Sequence, residues 1–302
     1  MNSVRSAGRF MHRESTPRLI YICVCISNIY RRPQETASQY NASNFKLKLV
    51  LKLFLISHKY SLESLQTFAT QLLVYHCTPP KTTCRTTELE DILRLAIRNG
   101  ALPLVKVVEQ ALLRRLEDDQ TISTAQLITL AEELGMREFQ GKLYYRELIR
   151  EEASIILKIP SSTAYNFSCT NLTEKQSLAL FRGYRSLVCY WQQLPGEVRG
   201  KKLPQLISCT KDHQKCESEW NSVWSKETIK NRDPFPPNFD ILASLEKMQT
   251  SAPDTFVTPA PIIFGLPNTQ PWMRKCGQKE LNDLIKQLKD TLADHFLGSQ
   301  PP

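Results

Sequence analysis

Glycine is scarce in this chain, with 10 residues in 302, and no G-x-G-x-x-G, G-x-x-x-x-G-K-[ST] or G-x-S-x-G occurs in it. Phosphate-cradling loops and nucleophile elbows need glycine because the backbone must approach the ligand or turn sharply without a Cβ. Nucleotide-dependent and elbow-serine enzymes are therefore disfavoured. Long hydrophobic runs are missing too. Leu19 to Ile26 follows an arginine-rich lead in the outline of a signal peptide. It has eight residues, whereas a bilayer takes about 20, and no small-residue cleavage pattern follows. A short buried strand is the simpler reading, and the sequons at Asn41, Asn166 and Asn171 are then chance matches.

A disulfide framework is also absent. The nine cysteines stand at irregular spacing, at 23, 25, 77, 84, 169, 189, 209, 216 and 276. Regular frameworks belong to small secreted domains, so reduced thiols in an intracellular protein, cytoplasmic or nuclear, are expected. Acidic residues are few at one end only. Residues 1–60 hold ten Lys or Arg against Glu14 and Glu35, a net of +8, which leaves +1 of the total +9 for residues 61–302. A basic arm of this kind is more often solvated than a reader of nucleic-acid grooves.

What is present is helical periodicity. Lys46 and Lys48 alternate before Leu49, Leu53 and Ile56 take helical spacing, which predicts a helix from about residue 49. Ser61 is placed to cap the next, through Leu62, Leu65, Phe68 and Leu72. Thr87-Glu-Leu-Glu90 reads as a capping box and Asn99-Gly100 as a stop. A further helix carries Leu104, Val107, Val108, Ala111 and Leu112. Ser123 with Gln126 opens another, which Gly135 closes, and one more follows through Phe139, Leu143 and Ile149. Short connections between amphipathic helices force antiparallel neighbours, so 46–152 is expected to be a domain of stacked helical hairpins.

Residues 153–172 are polar and mark a boundary, so 153–302 is expected to form a second, smaller helical subdomain. It opens with the capping box Thr173-Glu-Lys-Gln176 and the stripe Phe181, Tyr184, Leu187, Val188 and Trp191, ended by Leu194-Pro-Gly196. Trp220, Val223 and Trp224 stand at i, i+3 and i+4, the spacing of a core face. A short helix through Leu242, Leu245 and Met248 precedes the proline-rich loop 251–271, and an amphipathic helix from Leu281 to Phe296 closes the chain.

One segment carries ligand chemistry. Cys209-Thr-Lys-Asp-His213-Gln-Lys-Cys216 places two thiols and an imidazole at C-x3-H-x2-C spacing, which can converge on one Zn2+ if the backbone turns. Cys276 is the best candidate for the fourth ligand. The same residues can also be ordinary thiols beside a loop, and a catalytic zinc is disfavoured because cysteine-rich ligation usually closes the coordination sphere. His58 with Cys77 or Cys84, and His295, read as structural residues. No catalytic residue and no small-molecule substrate are assigned.

The order of these segments resembles a family. Leu53-Phe-Leu-Ile-Ser-His58-Lys-Tyr60-Ser-Leu-Glu-Ser-Leu65 is similar to the helical end of a BTB/POZ domain, and Leu93 to Ile97, the paired helices to Leu116 and Leu127 to Gly135 resemble the helical continuation in fungal BTB-domain proteins. Arg182-Gly-Tyr184, the C/H/C cluster, the tryptophan pair and Asp294-His-Phe296 follow in the same order. The resemblance covers about residues 46–298 and implies a mainly α chain following a truncated BTB/POZ-like domain, with 1–45 as a basic, atypical lead. It implies a non-enzymatic protein-interaction module, an adaptor or scaffold, with homodimerisation if a complete BTB domain exists. The alternative reading is a nucleic-acid-associated nuclear protein that uses the basic arm and a zinc-stapled C-terminal region. No membrane association is expected.

Overall fold

The computed structural model describes residues 46–78, 84–118, 122–156, 172–207, 209, 213–230, 240–250 and 275–299. The basic lead, the strand expected at Leu19–Ile26 and the loop 251–271 lie outside the described residues. Among the described residues there are ten α-helices and no strands. The chain divides into two compact units, Met1–Ile122 and Ser123–Pro302.

The first unit contains α1 (Leu47–Lys59), α2 (Glu63–Cys77), α3 (Thr86–Arg98) and α4 (Leu102–Asp118). α1 packs on α2, α3 on α4, and α2 on α4. The stripes of α2 and α4 are buried as their spacing predicts, through Leu65, Phe68, Leu72, Leu104, Val108 and Leu112, whereas α1 is rotated from its expected stripe: Val50, Phe54 and Ser57 are buried and Ile56 is 49 % exposed.

The corner between α1 and α2 differs from the expected cap. Ser61 adopts a left-handed φ of 53°, an unusual conformation for a side chain with a Cβ. The carbonyl of Ser57 holds it there, accepting from the Leu62 amide at 2.9 Å and from Gln66 Nε2 at 3.1 Å. Leu62 therefore becomes the N-cap residue, without a side-chain cap. α3 likewise starts before its expected box, at Thr86, with the Glu88 carboxylate accepting from the Arg85 amide at 2.8 Å. Gly100 does close α3, at φ 66°.

The second unit contains α5 (Thr124–Glu133), α6 (Arg137–Ile156), α7 (Glu174–Val198), α8 (His213–Lys230), α9 (Ile241–Thr250) and α10 (Lys275–Leu297). The compact division differs from the sequence boundary at 152/153, because α6 packs on α7 and α10 as well as on α5. α10 is the central element: α6, α7, α8 and α9 all lie against it. Its buried face, Leu281, Leu284, Ile285, Leu288, Leu292 and Phe296, is the expected stripe. Ser123 and Thr173 cap α5 and α7 by accepting from the amides of Gln126 and Gln176, and Gly135 ends α5 at φ 65°.

The expected face of α7 is rotated. Phe181 is 55 % exposed, while Leu180, Gly183, Leu187, Leu194 and Val198 are buried. The phase follows from a close approach at Gly183, where a Cβ would overlap the Phe296 ring of α10. α6 approaches α10 in the same way at Gly141, where a Cβ would sit 2.6 Å from the Cα of Ala293. α7 also continues through Pro195 to Val198, because Leu194 and Val198 are both buried and the Val198 carbonyl accepts from Trp220 Nε1 at 3.3 Å. The entry of α9 is pinned from α6. Tyr145 Oη donates to Asp240 at 2.9 Å and accepts from the Leu242 amide at 3.0 Å.

Candidate metal centre

Cys209, His213, Cys216 and Cys276 meet inside the second unit, with one ligand atom of each within 4.8 Å of the others. Three elements supply them. Cys209 sits in the α7–α8 connection, His213 and Cys216 occupy the first turn of α8, and Cys276 the first turn of α10. Helix starts favour thiolates because the unpaired amides there carry partial positive charge. The spacing explains the convergence on α8, since positions three apart share a helix face.

Cys209 Sγ lies 3.6 Å from Cys216 Sγ and 3.9 Å from His213 Nδ1. Ligands of a tetrahedral thiolate–imidazole site stand about 3.8 Å apart, so the spacing matches such a cage. The imidazole has one nitrogen committed elsewhere: Nε2 is 3.0 Å from the Leu203 carbonyl. A carbonyl only accepts, so Nε2 carries the proton and Nδ1 presents its lone pair to the sulfurs. Glu217 lies 3.8 Å from the same Nε2. Both effects favour Nδ1 as a ligand atom.

The segment supplying Leu203 is itself anchored. The Gly200 amide donates to Asn221 Oδ1 of α8 at 2.9 Å, and Lys201 pairs with the buried Glu280 of α10. Further along the same helix Trp220 and Trp224 are buried, as their spacing predicted, with their rings 5.6 Å apart, edge to face.

The electrostatics of the donors are strained against one another. Burial pushes the Cys216 thiol up to about 12, and hydrogen bonding with Cys209 adds to the rise. Burial acts the same way on Cys276, yet the Leu206 amide and the side chains of Cys209, His213 and Cys216 together hold its thiol below the ordinary value. Three sulfurs this close cannot all be thiolates without a cation among them. The donor set, its spacing and its tautomer thus fit a soft divalent metal ion.

The other sequence candidates are dispersed. The His58 ring packs on Phe54 at 4.4 Å, and its Nε2 is buried with no hydrogen-bond partner among the described residues. Cys77 and Cys84, both fully buried, hydrogen-bond to each other instead. That bond raises the Cys77 thiol, with burial adding to it, and lowers Cys84. Sequence reasoning missed this pair because Pro79-Pro80 interrupts the helical pattern between the two residues and leaves no periodic signal to relate them. His295 forms a 2.8 Å contact with Ser186 Oγ and meets the edge of the Tyr190 ring.

Comparison with protein-family models, with curated proteins and with solved structures finds no match. Among the described residues, no helix is long and apolar enough to cross a membrane. The class defined by the described residues is a helical protein with a cysteine/histidine cluster that could hold a metal ion.

Proposed function

We propose that this chain is a non-enzymatic helical interaction protein of BTB type, whose second unit is stapled by one structural zinc ion held by Cys209, His213, Cys216 and Cys276. The observation that supports it is the convergence of four protein donors from three elements within 4.8 Å. Four such ligands fill a tetrahedral shell and leave no position for a substrate, which is the arrangement of structural rather than catalytic zinc. The staple joins the start of α8 to the start of α10, two helices that also pack on each other and are separated in sequence by α9 and the proline-rich stretch 251–271.

Zinc suits the donors because thiolate and imidazole ligands in tetrahedral array favour it, and the buried Trp220 and Trp224 give the staple a rigid base. The sequence resemblance over 46–298 supports a protein partner and a scaffold or adaptor role. The irregular cysteines support a reducing, intracellular compartment. Elemental analysis of the purified full chain tests the reading. About one zinc per chain, lost on combined Cys216→Ser and Cys276→Ser substitution, is expected; a stoichiometry near zero after purification without chelator sinks the staple.

A further inference from the structure

The outer face of α1 offers an unusual combination. Val50, Phe54 and Ser57 turn inward, so positions 48, 52, 55, 56 and 59 share the opposite, solvent-facing side. Along it run Lys48 and Lys52, then Leu55 and Ile56, then Lys59. Leu55 is 43 % exposed, Ile56 49 % and the neighbouring Tyr60 62 %. Lys59 Nζ sits 5.4 Å from the centre of the Tyr60 ring. No acidic residue occurs between Glu35 and Glu63. Neither Lys48 nor Lys52 has a partner among the described residues.

We infer that this face docks an acidic amphipathic helix of a protein partner. Its leucine-type side chains would cover Leu55, Ile56 and Tyr60 while its carboxylates meet Lys48, Lys52 and Lys59. The chain's own lead is the wrong sign: residues 1–45 carry six arginines against Glu14 and Glu35. A second copy of a chain of net charge +9 is also disfavoured by like charge. A nucleic acid would set phosphates against Leu55 and Ile56, which desolvates charge without replacing its hydrogen bonds. An anionic bilayer would gain little, since only about two turns of the helix expose apolar side chains and interfacial helices bind in proportion to buried apolar area. A partner helix matches both features, with apolar anchors at i, i+3 or i+4 and flanking charge.

The inference rests on the interaction-protein reading above and is independent of zinc. The test uses the full chain and a fluorescein-labelled helical peptide of leucine, alanine and glutamate with leucines on one face. A peptide with lysine replacing every glutamate, phosphatidylserine vesicles and a DNA duplex serve as competitors. Salt-sensitive binding of the acidic peptide is expected. Lys48→Glu with Lys52→Glu should weaken it by roughly tenfold or more, since each replaces an attractive contact by a repulsive one. Leu55→Ala with Ile56→Ala should weaken it severalfold, with circular dichroism unchanged. Absence of binding, equal binding by all variants, equal binding of the lysine peptide, or displacement by vesicles or DNA at lower concentration overturns the proposal. The same titration on the Cys216→Ser chain separates the two readings: binding retained there keeps the docking face whatever the fate of the staple, and binding lost there overturns its independence of zinc.

Discussion

Gly183 on α7 lies directly against the ring of Phe296 on α10, and a Cβ on the glycine would overlap that ring. Gly183→Ala should therefore destabilise the chain even though alanine is the better helix former. Forced overpacking costs typically 1–3 kcal/mol against a gain of about 1 kcal/mol in helix propensity, and the direct overlap with the ring puts the cost at the upper end, so a net loss of up to about 2 kcal/mol is expected in urea unfolding. Combining it with Phe296→Leu should recover part of that loss. Gly196, in the last turn of the same helix, has open space where its Cβ would be. Gly196→Ala should stabilise by roughly 0.5–1 kcal/mol. Equal signs for the two alanines would refute the argument.

The same contact shows where sequence reading stops. Features set within one turn were legible: Ser123 and Thr173 cap their helices, and Gly100 and Gly135 end theirs with positive φ. The cluster at 209–216 was legible because its three side chains stand within eight residues, two of them in one helix start, and Cys276 was the thiol left to complete it. The phase of α7 was not, because it is decided by a ring 113 positions away in sequence, and Phe181 looks as apolar as Leu180 from sequence alone. Pro195 read as a helix end; the burial of Leu194 and Val198 outweighs its cost. The place of α5 and α6 depended on which helices α6 packs against, and helix periodicity does not say.

Tyr145 reaches from α6 to the entry of α9, where its hydroxyl both donates to Asp240 and accepts from the Leu242 amide. Asp240 in turn accepts from the Ala243 amide at 2.8 Å, so one phenol positions a helix cap. Tyr145→Phe keeps the ring in its buried place and removes only the two bonds. A loss of about 1–3 kcal/mol is expected, with amide exchange accelerated first in α9. Unchanged exchange across 240–250 would show that α9 holds without the phenol.

His295 is held below its ordinary imidazole value by burial, with Asp294 pulling partly the other way. A helix C-terminus favours a charged imidazole, but burial against α7 outweighs that here. A depressed folded value means that the unfolded chain takes up the proton first as pH falls below about 6.5. The neutral ring therefore contributes stability that is full above that pH and is lost as pH falls toward the folded value. The wild-type chain should lose more stability between pH 7.5 and pH 5 than His295→Gln, measured as urea midpoints on metal-free protein. Parallel profiles would mean that the ring is equally protonated in both states.

Cys209 is half-buried in a connection, whereas Cys216 and Cys276 are buried at helix starts. If the four donors hold zinc, the consequences of losing each should differ in that order. Chelation should lower Tm by on the order of 5–10 °C, taking a few kcal/mol of binding linkage and a few degrees per kcal/mol for a unit of this size. Cys216→Ser and Cys276→Ser should reproduce the chelated Tm with zinc present, because each leaves a buried hydroxyl in place of a ligand. Cys209→Ser should retain weakened binding, since its half-buried position admits water as a fourth ligand. Cobalt titration reads this directly: tetrahedral thiolate colour should develop fully in the parent chain, shift in Cys209→Ser and be absent in Cys276→Ser. Identical melting with and without chelator would leave the cluster as packed thiols.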